Sequence, residues 1–93
     1  MLKNIRDVDI GPPHPGEILR EDMLPRLEMG AAGLASRLEI SSELVGEILG
    51  ETRPVTADIA AKLAAVFGHS ARFWLGLQMQ HDVWAVRAAP HVA

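Results

Sequence analysis

The residues of this chain whose types and spacing suggest chemistry lie between positions 37 and 56: Arg37, Ser41, Ser42, Glu43, Gly46, Glu47, Thr52, Arg53 and Thr56. They are hydrogen-bonding and charged groups with no base poised beside a nucleophile, so the chemistry they offer is recognition. If residues 42–49 are helical, Ser41, Ser42 and Glu43 stand at the start of that helix and Gly46 and Glu47 on its outward face, where side chains of a groove-reading helix meet base edges. A glutamate there can accept from cytosine N4. Arg37, Ser42, Thr52, Arg53 and Thr56 suit phosphate oxygens, as do the free N–H groups of a helix beginning at Ala57. The plainer roles of the same residues are capping and solvation, certainly so in part for Thr56.

Other chemistries find no support. His14, His69, His81 and His91 are scattered, with no pair four apart, and the chain has no cysteine, so neither a metal site nor a thiol nucleophile is expected. There is no glycine-rich phosphate loop, no HExxH and no Ser-His-Asp spacing, and neighbouring Glu21 and Asp22 point apart on a helix. The expectation is a non-enzyme without a cofactor.

The elements that must hold the recognition groups are helices. Leu34, Leu38, Ile40 and Ile48 supply apolar positions around a small Ala35 and a β-branched Val45, so residues 31–38 and 42–49 read as two short helices joined by about three residues. A helix-turn-helix over 31–50 fits this pattern; on these positions alone, so does a structural helical hairpin. Pro15 opens a first helix over about 15–25, with Ile18, Leu19, Met23 and Leu27 as its apolar stripe and Pro25 closing it. Thr56 caps a fourth over 57–67, stopped by Gly68, and Ser70 caps a long fifth over about 71–87. Residues 1–14 form an N-terminal arm, with room for one edge strand, and 88–93 a frayed tail. The expected class is all-α.

Ninety-three residues allow one domain, here 15–87, and 48% hydrophobic with 23% charged residues is a globular composition. No apolar run approaches the ~18 residues of a spanning helix, and the absence of cysteine fits a cytoplasmic protein with no membrane role. A net charge of -3 argues against indiscriminate nucleic-acid binding, so contact with DNA has to come from a local patch.

Three segments, His14-Pro15-Gly16-Glu17-Ile18-Leu19-Arg20-Glu21, then Arg53-Pro54-Val55-Thr56-Ala57-Asp58 with Ala60 and Leu63, then Ser70-Ala71-Arg72-Phe73-Trp74-Leu75 with Gln78 and Asp82, resemble the HigA family of antitoxins in order and spacing, over residues 12–85. The resemblance implies a five-helix lambda-repressor-like DNA-binding domain with a long C-terminal helix. It also implies a homodimer, binding to double-stranded operator DNA at its own promoter, and neutralisation of a HigB-type ribonuclease toxin.

The chain departs from that pattern in places. Glu39 stands in the turn where the family usually has glycine at positive φ, so the turn is either strained or different. Gly30 stands where a serine would cap the second helix, and Gly33 is a poor helix former. Between Ala31 and Glu51, Arg37 is the one basic residue against Glu39, Glu43, Glu47 and Glu51. An acidic reader leaves open an alternative, a protein-binding module of the same fold with reduced or lost DNA binding.

In the last helix Phe73, Trp74 and Leu77 are expected in the core, leaving Met79, Val83 and Trp84 as a patch for a dimer interface. The arm 1–13 and the acidic Glu17, Glu21 and Asp22 are candidates to face a basic toxin, although Glu17 also suits the positive end of its own helix.

Overall fold

Thr56 and Ser70 each cap a helix, as their positions predict, and Ser41 caps a third. A computed structural model, which describes residues 11–88, shows Ser41 Oγ accepting from the Leu44 N–H at 3.0 Å, Thr56 Oγ1 from the Ile59 N–H at 3.5 Å and Ser70 Oγ from the Phe73 N–H at 3.0 Å. Each satisfies a donor that the first turn of a helix leaves orphaned. The described residues form five helical segments and no strand: α1 over 15–26, α2 Ala31–Leu38, α3 Ser42–Leu49, α4 Ala57–Phe67 and α5 Ala71–Ala88. The class is all-α. The edge strand allowed for in the arm lies outside the described residues.

The first helix differs from the sequence reading in an informative way. It is α-helical over Pro15–Ile18, widens to a π-helical turn over Leu19–Met23, and is α-helical again over Leu24–Arg26, so Pro25 does not close it. Proline has no N–H to donate and its ring crowds the carbonyl four residues back; the wider turn before it, closed by the Leu24 N–H on the Leu19 carbonyl, accommodates both problems. The extra residue also shifts the helical phase. Leu24 therefore takes the buried position and Leu27, expected in the stripe, is 51% exposed.

Three helices end alike. After α1, α2 and α3 the chain turns through Glu28, Glu39 and Glu51, all at positive φ (53°, 58° and 64°). In each case the following N–H reaches back five residues: Met29 to Leu24, Ile40 to Ala35, Thr52 to Glu47. This is the Schellman arrangement, in which glycine is favoured because a Cβ costs about 1 kcal/mol in the left-handed region. The turn at Glu39 thus keeps the backbone the resemblance implies, without the glycine. Gly30, in turn, offers α2 no side-chain cap.

The core gathers Leu19 and Leu24 from α1, Leu34, Ala35 and Leu38 from α2, Val45 and Ile48 from α3, Ile59, Ala60 and Leu63 from α4, and Trp74 from α5. Ala35 and Val45 are both buried, as a close α2–α3 crossing requires. Trp74 is fully buried and Leu77 packs against this cluster, as expected. Phe73 is not in the core: one residue rotates a helix by about 100°, so with Trp74 pointing inward Phe73 turns out, 42% exposed, and stacks on His69 with ring centroids 4.6 Å apart.

Candidate nucleic-acid interface

The third helix presents its outward face because α1 and α2 grip its inward one. Val45 and Ile48 are buried, while Ser41, Ser42, Glu43, Gly46 and Glu47 are all exposed. At its far end, Gly16 sits so close to the Ile48 carbonyl that any Cβ would overlap it, so the absence of a side chain at 16 is what lets the start of α1 approach. His14 fixes that start: its Nδ1 accepts from the Gly16 N–H at 2.9 Å, with Pro15 in the first helical position. Arg20 then donates to the Leu49 carbonyl and pairs with Glu51 at 3.2 Å, binding α1 to the last turn of α3 and to the residue that terminates it. The HPGE segment and Arg20 therefore hold α3 in place.

Gly46 has open space around the position a Cβ would take. Nothing among the described residues requires glycine there, in mid-helix, where it costs up to about 1 kcal/mol relative to alanine. The bare backbone lies on the same exposed face as Ser42, Glu43 and Glu47.

The loop between α3 and α4 carries the other candidates. Thr52 donates both its N–H, at 2.9 Å, and its hydroxyl, at 3.2 Å, to the Glu47 carbonyl, so its hydroxyl proton is already used at the end of α3. Thr56 accepts the Ile59 N–H and keeps its own O–H free to donate. Arg53 donates from Nε to Glu47 Oε1 at 2.5 Å, with both side chains about half exposed. This single bond leaves the Nη groups of Arg53 for another acceptor, and phosphate geometry suits them. Arg37 is exposed on α2 and makes no ion pair among the described residues. Of the four glutamates that make this region acidic, Glu47 and Glu51 are thus each paired with an arginine from outside residues 41–51.

Burial pushes the His14 pKa below the ordinary histidine value, and the neighbouring His81 lowers it further against the opposing pull of Glu51 and Asp82. Neutral His14 is the form that can cap. His81 packs edge-on to it, with ring centroids 5.1 Å apart, and donates from Nδ1 to the Pro12 carbonyl at 3.1 Å. The histidines of the sequence reading are therefore structural on this side of the molecule, and among the described residues no cluster could hold a metal ion.

On α5, Met79 is 62% and Val83 49% exposed, and Val86, which sequence reasoning passed over, is 74% exposed one turn further on. Trp84 is half-buried: Gly11, at φ 79°, lies flat against its ring, where only glycine fits. Its remaining face opens with Pro12, Met79, Gln80, Val83 and Arg87 into a mostly apolar groove of about 430 Å³.

Two short crossed helices, the second gripped from behind and displayed, define a helix-turn-helix protein. No family model matches the chain. It is 43% identical over 70 residues to virulence-associated protein I of Dichelobacter nodosus, covering 75% of this chain and 65% of that relative's length. The structure is similar to that of the Pseudomonas aeruginosa antitoxin HigA with the higBA promoter, with a TM-score of 0.80 and 39% identity over 83% of this chain and 84% of that one. It is also similar to an addiction module antidote protein of the HigA family from Coxiella burnetii, with a TM-score of 0.75 and 38% identity over 86% of this chain and 98% of that one. The chain belongs to the HigA family of helix-turn-helix antitoxins.

Proposed function

We propose that this protein is a dimeric, cytoplasmic antitoxin that binds double-stranded operator DNA at the promoter of its own operon and neutralises a HigB-like ribonuclease toxin. The observation that carries the DNA half of this reading is the exposed face of α3, with Ser42, Glu43, Gly46 and Glu47 outward and Arg53 held beside Glu47 with its Nη groups available. The 39% identical Pseudomonas protein, solved with promoter DNA, supports it. In this reading α3 enters the major groove, Ser41 and Ser42 touch the edge of the groove, and Arg37, Arg53 and Thr56 meet phosphates. The apolar stripe of Met79, Val83 and Trp84, extended by Val86, supplies the contact with a second copy, so that two reader helices lie about 34 Å apart, one duplex turn. Glu17, Glu21 and Asp22, the last two paired with Arg20 and Arg26, are the carboxylates of α1 set to meet the positive surface a ribonuclease needs to hold RNA.

A footprint on the chain's own promoter tests the DNA half: protection of two half-sites about one turn apart is expected, and no protection at low salt contradicts it. Co-expression with the neighbouring open reading frame tests the other half, with co-purification of a small basic protein expected; its failure, with the footprint intact, leaves a DNA-binding regulator without a toxin.

A further inference from the structure

The loop that carries Arg53 is fastened to the last helix by one side chain. Gln78 is only 6% exposed, and its Oε1 accepts the Val55 N–H at 2.8 Å while its Nε2 donates to Asp82 Oδ1 at 2.9 Å. Thr52 fastens the other side of the loop to the Glu47 carbonyl. Between those two anchors only Arg53 and Pro54 stand out, both exposed, and the ring of Pro54 fixes the backbone that carries the arginine forward.

A primary amide can present either its oxygen or its nitrogen to a neighbour, and the wrong choice here sets an N–H donor against the Val55 N–H. The Val55 N–H favours the oxygen, and Asp82 removes the choice from the other side. A carboxylate only accepts, so it draws Nε2 to itself and turns Oε1 toward Val55. We infer that Gln78 is a positioning residue for the DNA-contacting Arg53 loop, and that Asp82, one turn further along α5, sets the polarity of its amide. The inference rests on the DNA-reading proposal above for its consequence, but the orientation of the amide is independent of DNA. His14, His81, Glu51 and Arg53 line the same cleft, about 250 Å³, so titratable groups from the start of α1, the loop and α5 all face the pair.

The pair is testable because Asp82 is exposed, where a replacement disturbs little packing. In Asp82→Asn the Oδ1 still accepts, and both the orientation and promoter affinity should stay within about twofold of the wild type. In Asp82→Lys the new group only donates, draws Oε1 away and leaves Nε2 against Val55. Hydrogen exchange of the Val55 amide, followed by NMR, should then show protection reduced about tenfold or more. Promoter affinity should fall about tenfold, and the dependence of log affinity on log salt should flatten by roughly 0.9 for each phosphate that is no longer neutralised. A purely electrostatic effect has the opposite sign, since two added units of positive charge would tighten binding and steepen the salt dependence. Gln78→Met, which fills the space without either hydrogen bond, should reproduce the fall in Val55 protection and in affinity. Tight binding by Asp82→Lys with Val55 still protected overturns the inference. A wild type that ignores DNA overturns instead the DNA reading and the role of Arg53, while the Val55 exchange still reports whether Asp82 orients Gln78.

Discussion

Glu47 and Arg53 are bonded to each other: the arginine Nε donates to the glutamate carboxylate across the end of α3. By charge count alone Glu47 opposes phosphate approach and Arg53 invites it. In the proposed contact the pairing makes them act together, because a guanidinium held through Nε has its Nη edge fixed in direction, and less rotamer freedom would be given up on meeting a phosphate. The acidity of the reader is correspondingly smaller than its composition suggests, since Glu51 is likewise engaged by Arg20. Glu43 is the glutamate on the reading face without an ion-pair partner among the described residues.

Replacing Glu39 by glycine should stabilise the protein by about 0.5 to 1 kcal/mol, because φ is 58° and the exposed side chain makes no ion pair among the described residues. Glu51→Gly relieves the same backbone cost at φ 64° but removes the bond to Arg20, worth ~0 to 1 kcal/mol for such a partly exposed pair, so its net effect should be near zero. Denaturant midpoints of the two variants provide the comparison. Equal gains would mean that Arg20 contributes nothing through Glu51.

Gly46→Ala should move stability and binding in opposite directions. Open space around Gly46 and the helix preference of alanine predict up to about 1 kcal/mol of added stability. A methyl on the face proposed to approach the duplex should weaken operator binding. Thermal unfolding and a binding titration on the same sample check both signs, and a variant that is more stable with unchanged affinity would remove Gly46 from the contact.

Stability should decline in acid partly through His14. Its native pKa lies below the ordinary histidine value of 6.5, so below pH 6.5 the unfolded chain takes up a proton that native His14 resists. This contribution is complete above pH 6.5 and disappears as pH falls through the native value. Protonation also removes the lone pair that accepts the Gly16 N–H. His14→Asn keeps a capping oxygen without the titration, so its unfolding free energy should change less between pH 7 and pH 5 than that of the wild type. Identical slopes would show that His14 is not the group responsible.

How much of this was legible in the sequence depends on how far the cause of each feature lies along the chain. The starts of α4 and α5 follow from Thr56 and Ser70, each acting three residues away, and were readable; Ser41 caps α3 by the same geometry, though its type also suited a base contact. The π-helical turn was not, because Pro25 signals either the end of a helix or a distortion within it, and packing of Leu19 and Leu24 on the core decides which. The outward-facing reader residues followed from helical geometry. Their supports did not: Gly16 against Ile48, Arg20 on Leu49 and Gln78 on Val55 join positions 23 to 32 residues apart. These residues belong to the segments that carry the family resemblance, which identified them without disclosing what they do.

Polar replacement of Met79 and Val83 together should yield monomers at micromolar concentration by sedimentation, because both are exposed apolar side chains on the face of α5 proposed to meet a second copy. Trp84 is left in place in this variant, since it also packs on Gly11. An unchanged dimer mass would place the interface elsewhere.

The most direct test of the proposed reader is a titration of the wild type and of a Glu43→Gln/Glu47→Gln variant against the chain's own promoter fragment and a scrambled duplex, at two salt concentrations. The wild type should prefer the promoter, with a shallow salt dependence of roughly 0.9 per phosphate neutralised. The variant, in which the amide oxygen introduced at position 47 can still accept from Arg53, should bind both duplexes more tightly and keep the preference. If a glutamate reads cytosine instead, the variant should bind the promoter alone about 1 to 3 kcal/mol more weakly. Absence of promoter binding by either protein at low salt would contradict the central claim.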